Sequence, residues 1–477
     1  MKDVIIIGCG VTGAACAYEL SRYKLDIAVL EADNDVANGT TKANSAIIHA
    51  GYDPKPGSLM AALNVRSNER TAEICDKLDV PFKRIGSLVA AFNENDRKMI
   101  EELYDRGVQN GVPDMRLLSA DEVAAMEPEL SKEVVGALYA PSAGIINPWE
   151  YCLAMAETSV KNGVELHRNS PVTAIECKGD GFVITAGGKE FETKYIVSAA
   201  GLYADKIHAM LAPCDYEIKP NRGEYYLLDK SEGGRVSHVI FQCPDENGKG
   251  VLVSPTVHGN LIVGPNAESS AADDVSTTAP AMAFIRKQSV KSVPGINFRE
   301  NIRNVAGIRA KTAQDDFILR EAVPHFIEAA GICSPGLSSA PAIAEYIVEL
   351  LKKAGLTAEP KEEYDDSRRR IRFKELDAAE RNSLIAENPA YGRVICRCET
   401  ITEGEIIEAC HTPIPACSVN GVKRRTGAGM GRCQGGFCGP RVQEILAREL
   451  NISPVDVPMD SEGTYVLIGE TKGGSAK

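Results

Sequence analysis

Uninterrupted apolar runs are short throughout this 477-residue sequence, and none reaches the roughly 18 residues that a membrane-spanning helix requires. The first apolar run covers residues 4–7 and ends at Gly8, so it is shorter than the core of a secretory signal. The formal net charge is −13, opposite in sign to a surface that binds nucleic acid phosphates. We therefore expect a cytoplasmic protein that has no transmembrane segment and no nucleic acid partner.

Cysteine is unevenly distributed along the chain. Of 14 cysteines, eight are spread from Cys9 to Cys333, whereas six lie within the 43 residues from Cys396 to Cys438. A chain of this length can bury a large core without disulfides, and in a reducing compartment thiols stay free or bind metals. The clustered cysteines therefore predict a separate metal-binding module.

The apolar pattern predicts an opening βαβ unit followed by mixed α/β structure. The predicted strands are 4–7, 27–30, 224–228, 250–253 and 261–263, and the predicted helices are 12–22 and one around Ile343 that ends before Gly355. Residues 361–381 carry dense mixed charge, which indicates a solvated linker helix. The cysteine-rich module then covers 391–450, and residues 471–477 form a polar tail.

The loop after the first predicted strand carries a dinucleotide-binding motif. Gly8, Gly10 and Gly13 form the pattern GxGxxG between a strand and a helix, and Glu31 follows Gly10 by 21 positions. Gly8 permits the tight turn, Gly10 the approach of a pyrophosphate to the helix N-terminus, and Gly13 close helix packing. Glu31 can accept hydrogen bonds from a ribose and would repel a 2′-phosphate.

Two later glycine segments favour FAD over NAD. Ala200 and Gly201 follow a strand-like stretch, which suits a second close approach of the backbone to a cofactor. Residues 330–337 form a glycine loop that leads into the helix near Ile343. The positive end of such a helix would stabilise the negative charge of a reduced flavin.

Four cysteines of the C-terminal module have the spacing of a metal site. Cys396 and Cys398 are separated by one residue, and Cys433 and Cys438 by four. Two close pairs of thiolates suit either zinc or an iron–sulfur cluster, and the one-residue gap is less typical of zinc. Between residues 391 and 450 eight Lys or Arg face six Asp or Glu. We expect the glycine- and arginine-rich stretch at 424–432 to bring amides and cations toward a cluster anion, and Cys410 and Cys417 to be buried thiols.

Residues 1–350 resemble FAD-dependent oxidoreductases of the D-amino-acid oxidase type, close to glycerol-3-phosphate dehydrogenases and L-2-hydroxyglutarate dehydrogenases. The matching stretches are residues 8–13 with Glu31, 44–51, 144–148, 222–226, 307–309 with 315–317, and 334–337. The C-terminal module resembles the bacterioferritin-associated-ferredoxin-like 2Fe-2S domain of anaerobic glycerol-3-phosphate dehydrogenase subunits.

The resemblance implies an α/β Rossmann-type FAD domain, an α+β substrate domain with an antiparallel sheet over the flavin, and a small helical 2Fe-2S module. The expected parts are FAD-binding residues 1–85, 145–220 and 320–355, substrate-domain residues 86–144 and 221–319, a charged linker at 356–390, the 2Fe-2S domain at 391–450 and a tail at 451–477. The expected FAD contacts are Gly8, Gly10, Val11, Thr12, Gly13, Glu31, Ala32, Thr40, Ser45, Val172, Ala200, Gly201, Gly307, Gly336, Leu337 and Ser338.

Oxidation of an alcohol by a flavin needs a hydride acceptor and a base for the hydroxyl proton. The resemblance places His49 beside the flavin ring, either as that base or as a packed histidine. Arg309 and Arg222 lie in matching segments and could bind a substrate anion, and Lys311 would share a strand face with Arg309.

The substrate remains open between two small anionic alcohols. Respiratory glycerol-3-phosphate dehydrogenases often carry an arginine four residues after the matching histidine, where this chain has Asp53, and residues 52–59 look more like the hydroxyglutarate enzymes. The C-terminal module favours glycerol 3-phosphate. Two further alternatives are a non-catalytic flavin and iron–sulfur relay subunit and an FAD-linked amine oxidase.

A cluster is of little use to an enzyme that reduces oxygen directly, so we expect a dehydrogenase. The resemblance implies a partner electron-transfer subunit, either a second flavoprotein or a quinone-linked protein, through which the chain could lie at the membrane periphery.

Overall fold

The computed structural model describes residues 1–244, 250–469 and 471. Within that part of the chain, no helix is long and apolar enough to cross a membrane. The α-helices are α1 (Val11–Leu20), α2 (Leu59–Lys77), α3 (Glu94–Asn110), α4 (Ala120–Met126), α5 (Pro148–Lys161), α6 (Ala204–Ala209), α7 (Ala279–Ser292), α8 (Gly336–Lys353), α9 (Ala378–Glu387), α10 (Glu403–Ala409), α11 (Val419–Thr426) and α12 (Gly439–Leu450).

The strands fall into two large sheets and two small ones. They are β1 (Lys2–Ile7), β2 (Ile27–Leu30), β3 (Ile47–Ile48), β4 (Phe82–Arg84), β5 (Ser87–Ala91), β6 (Arg116–Ser119), β7 (Gly136–Ala140), β8 (Gly144–Ile146), β9 (Glu165–His167), β10 (Val172–Lys178), β11 (Gly181–Ala186), β12 (Lys189–Ser198), β13 (Lys219–Leu228), β14 (Val239–Gln242), β15 (Leu252–Pro255), β16 (Leu261–Gly264), β17 (Glu268–Ser269), β18 (Asn301–Lys311), β19 (Ile318–Val323), β20 (Phe326–Ala330), β21 (Val394–Cys396) and β22 (Ile401–Thr402).

β1 lies inside an eight-stranded sheet and is buried on both faces. It pairs in parallel with β2 and β12, and β9 and β20 extend the parallel part on either side. Val4 and Ile6 pack with α1, α5 and α8, whereas Ile5 and Ile7 pack toward β10 and β11. A strand buried on both faces reads as a continuous apolar run, which is why β1 and β2 were predictable. The α/β class of this domain is confirmed.

The second sheet has nine strands, drawn from residues 87–140 and 219–311. Its longest pair joins β13 to β18 in antiparallel register, with Asn221 opposite Arg309 and Gly223 opposite Gly307. β14 and β5 pair in parallel, so the sheet is mixed where we expected it to be antiparallel. This sheet gives the α+β domain that the sequence predicts, and β18 carries Arg309 to the boundary between the two domains.

The charged segment at 361–381 is not a solvated helix, which corrects the prediction. Only α9 is an α-helix within 356–390, and the residues before it run over α5 in extended and turn conformations. Arg368 contacts Glu157, and Arg370 and Arg372 both contact Glu150, with nitrogen–oxygen distances of 2.8 to 3.0 Å. The two glutamates on α5 are buried and need counter-charges, so the arginines lie inward.

The C-terminal module contains its own apolar core between α10, α11 and α12. Val457, placed in the predicted tail at 451–477, is fully buried in that core, and the backbone of Asp460 accepts a hydrogen bond from Asn34 at 2.7 Å. Residues 451–460 are therefore part of the fold rather than a tail. Of the polar tail predicted at 471–477, all but Thr471 lies outside the described residues.

Candidate functional site

The turn between β1 and α1 is built from glycines that approach other backbone closely. Gly8 has a φ of +94°, and a Cβ atom there would lie 2.7 Å from the carbonyl oxygen of Ala199. A Cβ on Gly13 would lie 2.0 Å from the carbonyl oxygen of Gly8, so α1 packs directly on the turn. Neither position has room for a side chain, which is the physical reason for the GxGxxG pattern.

The N-terminus of α1 and the end of β2 face the same space. α1 begins after Gly10 without a side-chain cap, and the amide of Val11 donates to Thr41 Oγ1 at 3.0 Å. Glu31 accepts hydrogen bonds from the amides of Cys9 at 2.6 Å and Asp33 at 2.9 Å. Burial raises the pKa of Glu31. The helix end suits a pyrophosphate, and the carboxyl suits a ribose.

A cavity of about 640 Å³ extends from Glu31 to β18, a size within the range of cofactor sites. Most of the residues predicted to contact FAD or substrate line it. They are Gly8, Gly10, Val11, Thr12, Glu31, Ala32, Thr40, Ser45, His49, Val172, Ala200, Gly201, Gly307, Arg309, Lys311, Gly336 and Leu337.

Three predicted residues do not line the cavity. Gly13 lies behind the turn, where it packs on Gly8. Ser338 is buried and accepts a hydrogen bond from the amide of His49 at 2.8 Å, so it holds the histidine segment. Arg222 is buried among carboxylates on β13.

The loop at 40–45 is fastened to β18 at the domain boundary. Thr40 Oγ1 donates to the carbonyl of Ile308 at 2.7 Å, and a Cβ on Gly307 would lie 1.8 Å from the carbonyl oxygen of Ala43. Ser45 Oγ lies 3.3 Å from Tyr225 Oη on β13. Gly307 therefore serves the close contact between loop and strand, besides lining the cavity.

His49 is held by its backbone and its ring. Its carbonyl accepts hydrogen bonds from Asn64 at 2.9 Å and Asn68 at 3.0 Å, both on α2. Its Nε2 lies 3.3 Å from Ser334 Oγ, and its ring stacks on Phe241 with the centroids 5.8 Å apart. The roles of Asn64, Asn68 and Phe241 are not visible in the sequence, because nothing in their local sequence links them to a segment 15 or more positions away.

Arg309 and Arg222 lie on neighbouring strands but in opposite electrostatic settings. Arg309 donates to Asn221 Oδ1 at 2.8 Å and to the carbonyl of Asn266 at 3.3 Å, and it makes no ion pair with any carboxylate in the described part of the chain. Arg222 is 6% exposed and pairs with Glu224 at 3.2 Å and also with Asp274. The prediction that Arg222 binds a substrate anion is therefore wrong on geometry, because its charge is already neutralised away from the cavity.

The N-terminus of α8 also opens on the cavity. Pro335, Gly336 and Leu337 line it, and the helix begins without a side-chain cap. The predicted glycine loop thus presents the uncapped, positive end of an 18-residue helix to the cavity. This arrangement suits the anionic edge of a reduced flavin.

Within the part of the chain that the structure describes, the four predicted cluster ligands form two pairs rather than one preassembled metal cage, and the pairs differ from those suggested by sequence. Cys398 Sγ lies 3.7 Å from Cys433 Sγ, and Cys438 is close enough to Cys396 to lower the pKa of its thiol. A tetrahedral metal with metal–sulfur bonds of about 2.3 Å holds two thiolates about 3.8 Å apart, so the first pair has the separation of two ligands on one metal. The pairs therefore form across the module instead of between neighbours in sequence.

Backbone amides converge on these sulfurs, as the glycine-rich stretch predicted. Cys438 and the amides of Gly429 and Glu399 lower the pKa of Cys396 to about 6. The amides of Phe437 and Gly435 donate to Cys433 and lower its pKa. Because the thiolate is the form that binds metal, this donor set fits a cluster.

The expected role of Arg424 and Arg425 is corrected, because both are paired with carboxylates. Arg425 donates two hydrogen bonds to Asp35, at 2.7 and 2.8 Å, and Arg424 contacts Asp35 at 3.2 Å and Asp460 at 2.8 Å. Asp35 lies after β2 and is 1% exposed, so these arginines fasten the module to the first domain. Lys423, which directly precedes Arg424 and whose pKa burial lowers to about 8, lies near Cys438.

The two remaining cysteines of the module differ in how deeply they are buried. Cys410 is buried, and burial raises its pKa to about 11. Cys417 is only half-buried, contrary to expectation, and its thiol donates to the carbonyl of Asn34 at 3.1 Å. Cys417 therefore contributes to the contact between the module and the first domain.

Comparison with known proteins agrees with this geometry. The family model described as DAO, FAD dependent oxidoreductase, matches residues 3–350, and that of the BFD-like [2Fe-2S] binding domain matches residues 394–448. A glycerol 3-phosphate dehydrogenase of Caloramator mitchellensis is 51% identical over 476 residues, which cover 99% of each chain.

Two further relatives cover less of the chain. The structure of dithionite-reduced L-alpha-glycerophosphate oxidase from Mycoplasma pneumoniae with FAD bound is 32% identical, with a TM-score of 0.73 over 77% of this chain and 98% of that one. L-2-hydroxyglutarate dehydrogenase of Escherichia coli K12 is 33% identical over 56% of this chain and 64% of its own length. The chain therefore belongs to the FAD-dependent oxidoreductases of the DAO family, and it joins an FAD-binding enzyme domain to a BFD-like 2Fe-2S domain.

Proposed function

We propose that this enzyme oxidises sn-glycerol 3-phosphate to dihydroxyacetone phosphate and passes the electrons through its 2Fe-2S cluster to a partner protein. The observation that carries the proposal is a single cavity that contains His49 and Arg309, a guanidinium that no described carboxylate neutralises. An unneutralised arginine at a cavity wall favours an anionic ligand, and a histidine beside it can accept a proton. The similarity to a glycerol 3-phosphate dehydrogenase over 99% of the chain supports the choice of anion.

In this proposal the residues of the chain bind the substrate and move one proton. Arg309 and Lys311, two residues apart on β18, hold the phosphate, and Asn221 fixes the Arg309 guanidinium. His49 accepts the hydroxyl proton at Nε2, while Ser334 and Phe241 hold its ring in place. Bound FAD supplies the two-electron acceptor for the hydride. The residues that hold FAD are those of the β1–α1 turn, Glu31 and the N-terminus of α8.

The second candidate substrate is L-2-hydroxyglutarate. Asp53 and the residues 52–59 resemble the hydroxyglutarate enzymes, and one such enzyme is 33% identical over 56% of this chain. A carboxylate would bind the same arginine, because guanidinium recognises both anions. The glycerol 3-phosphate dehydrogenase that matches 99% of this chain favours the phosphate ester, so hydroxyglutarate is the alternative to be tested.

Anaerobic reduction of the bound flavin distinguishes these candidates. We expect glycerol 3-phosphate to bleach the flavin absorbance band within the mixing time of a stopped-flow experiment, while L-2-hydroxyglutarate at equal concentration leaves it yellow. Bleaching by hydroxyglutarate alone would establish the second candidate. If dithionite bleached the flavin but neither alcohol did, the proposal would fail in favour of an electron-relay subunit.

The identity of the acceptor is part of the same proposal. We expect a one-electron or quinone-linked partner, either a second flavoprotein or a membrane subunit that would hold this chain at the membrane periphery. Oxygen consumption during turnover with glycerol 3-phosphate is the check. Slow oxygen uptake beside fast reduction of an artificial one-electron dye supports a dehydrogenase, and stoichiometric peroxide formation contradicts it.

A further inference from the structure

The four cluster ligands differ sharply in their exposure to solvent. Cys396 and Cys438 are 1% and 2% exposed, whereas Cys398 is exposed and Cys433 is half-exposed. Cys398 and Cys433 are also the pair whose sulfurs lie 3.7 Å apart. One edge of the cluster site therefore lies directly at the protein surface, which shortens the electron-transfer distance from the cluster to a bound partner.

The side chain of Phe437 lies beside this edge and is 87% exposed. Its backbone amide lies close enough to Cys433 to lower the pKa of that thiol, so Phe437 is next to the ligand pair. Exposed aromatic side chains are uncommon on surfaces without a partner and are enriched in the centres of protein interfaces. Phe437 thus provides an apolar contact point adjacent to the open edge.

The charged groups around the same edge form a positive outer layer. Arg397, between the two ligands Cys396 and Cys398, is exposed and makes no ion pair with any residue that the structure describes. Arg432, with its side chain 63% exposed, pairs with Asp229 and Glu300, which are only 15% and 28% exposed. Lys230, 43% exposed, similarly covers Glu399, which is 7% exposed. A partner that approaches the edge therefore meets cations, although the whole chain carries a net charge of −13.

We propose that Arg397, Cys398, Arg432, Cys433 and Phe437 form a docking surface, the cluster face, for an acidic one-electron redox protein. The apolar ring at the centre and the cations around it match the composition of transient redox interfaces, which are small and steered by charge. In each encounter the reduced cluster loses one electron and the partner's centre gains it, and no bond is formed or broken. The inference rests on the proposed function only in that electrons leave through the cluster.

Two soluble probes of opposite charge test the cluster face. The full holoprotein, reduced with dithionite and freed of excess reductant, is mixed anaerobically with acidic cytochrome b5 or with basic cytochrome c, and haem reduction is followed at several salt concentrations. Because dithionite replaces the alcohol, this experiment is independent of the substrate assignment. We expect the rate with cytochrome b5 to fall at least about tenfold between low and high salt, because attraction of opposite charges is screened. The rate with cytochrome c should not fall with salt.

Charge reversal and loss of the ring locate the site. Arg397→Glu and Phe437→Ser should each slow cytochrome b5 reduction at least about fivefold, with unchanged iron content and unchanged flavin reduction by dithionite. The matched controls are Lys287→Glu and Phe284→Ser, exposed positions on α7 of the substrate domain. Binding of oxidised cytochrome b5 to the oxidised holoprotein, measured by calorimetry, should weaken in the same two variants without any electron transfer.

Two results would overturn the cluster face. One is a cytochrome b5 rate that does not depend on salt. The other is a pair of cluster-face variants, with full iron content, that bind and reduce cytochrome b5 as well as their α7 controls do.

Discussion

Arginines line two regions of this molecule, the flavin cavity and the contact between the 2Fe-2S module and the first domain, and they act differently in each. In the cavity Arg309 is held by an amide and a carbonyl, and no described carboxylate opposes its charge. At the module contact Arg425 is 3% exposed and bonded twice to Asp35. The same side chain is therefore available to a ligand in one region and fully satisfied within the protein in the other.

The comparison shows that the counter-charge, and not the arginine itself, decides the role. We therefore expect the two regions to respond differently to substitution. Changes in the cavity should reduce activity and leave stability nearly unchanged, whereas changes at the module contact should reduce stability and leave the flavin chemistry intact.

The largest expected effect is on catalysis at His49. His49→Asn keeps a polar side chain but removes the proton acceptor, so kcat for glycerol 3-phosphate should fall by about 10²- to 10⁴-fold. Steady-state kinetics with an artificial dye and the thermal midpoint of the holoprotein are the measurements. A variant with less than about tenfold loss would show that His49 is only a packed residue in the cavity wall.

The next effect is on stability at the module contact. Asp35→Asn keeps the shape of the side chain but leaves the buried Arg425 without its counter-charge and Arg424 with Asp460 alone, which should lower the free energy of unfolding by about 3–5 kcal/mol. Denaturant unfolding measures the change, and Asp273→Asn, at an exposed position, is the control. Unchanged stability in Asp35→Asn would remove the distinction between the two regions.

The cavity arginine should give a smaller loss, confined to the substrate. Arg309→Met should lower kcat/KM for glycerol 3-phosphate by about 30- to 150-fold. This factor corresponds to the loss of about 2–3 kcal/mol, which is typical of a hydrogen bond to a charged group. FAD content and the thermal midpoint should match those of the control Arg299→Met, an exposed residue on the same domain. Full retention of kcat/KM would exclude Arg309 from substrate binding.

The free energy of unfolding should depend on pH through the module contact. The Asp35 carboxyl is desolvated, but Arg425 and Arg424 lower its pKa from 3.8 to about 2. Because the pKa is lower in the folded state, the stabilisation is complete above pH 4 and is lost as the pH falls toward 2, by about 2 kcal/mol. The difference in stability between the native chain and Asp35→Asn should therefore narrow by about 2 kcal/mol as the pH falls toward 2, and a difference that stays constant with pH would contradict this assignment.

The smallest effect concerns the ring of His49. Ser334→Ala removes one neutral hydrogen-bonding group near Nε2 and should lower kcat by about 2- to 10-fold. A pH–rate profile shifted by the substitution would show that Ser334 acts through the histidine, whereas an unchanged rate and profile would show that it does not.

The parts of the site that could be predicted from sequence are those fixed by local geometry. The β1–α1 turn needs glycine at positions 8 and 13, because backbone atoms occupy the side-chain space, and that requirement is visible within six residues. The four cluster cysteines were identifiable for a similar reason, since their residue type and spacing carry the chemistry.

The parts that could not be predicted depend on partners distant in sequence. Arg222 lies in a stretch that matches the family, but that match does not reveal that the fold pairs its charge with Glu224 and with Asp274, 52 positions away. The arginines at 368–372 were expected in solvent because the buried glutamates of α5 are more than 200 positions away. A charged residue in a sequence does not reveal whether the fold brings an opposite charge to it.

Electron counting during anaerobic reduction tests the central claim most directly, that a flavin in the first domain and a cluster in the C-terminal module work in one chain. The purified holoprotein is titrated with glycerol 3-phosphate and then dithionite, while the flavin band and the paramagnetic signal of the reduced cluster are recorded. The account predicts about three electrons per chain, two on FAD and one on a 2Fe-2S cluster, with the cluster signal appearing after addition of the alcohol. Uptake of only two electrons, with no iron and no cluster signal, would contradict it.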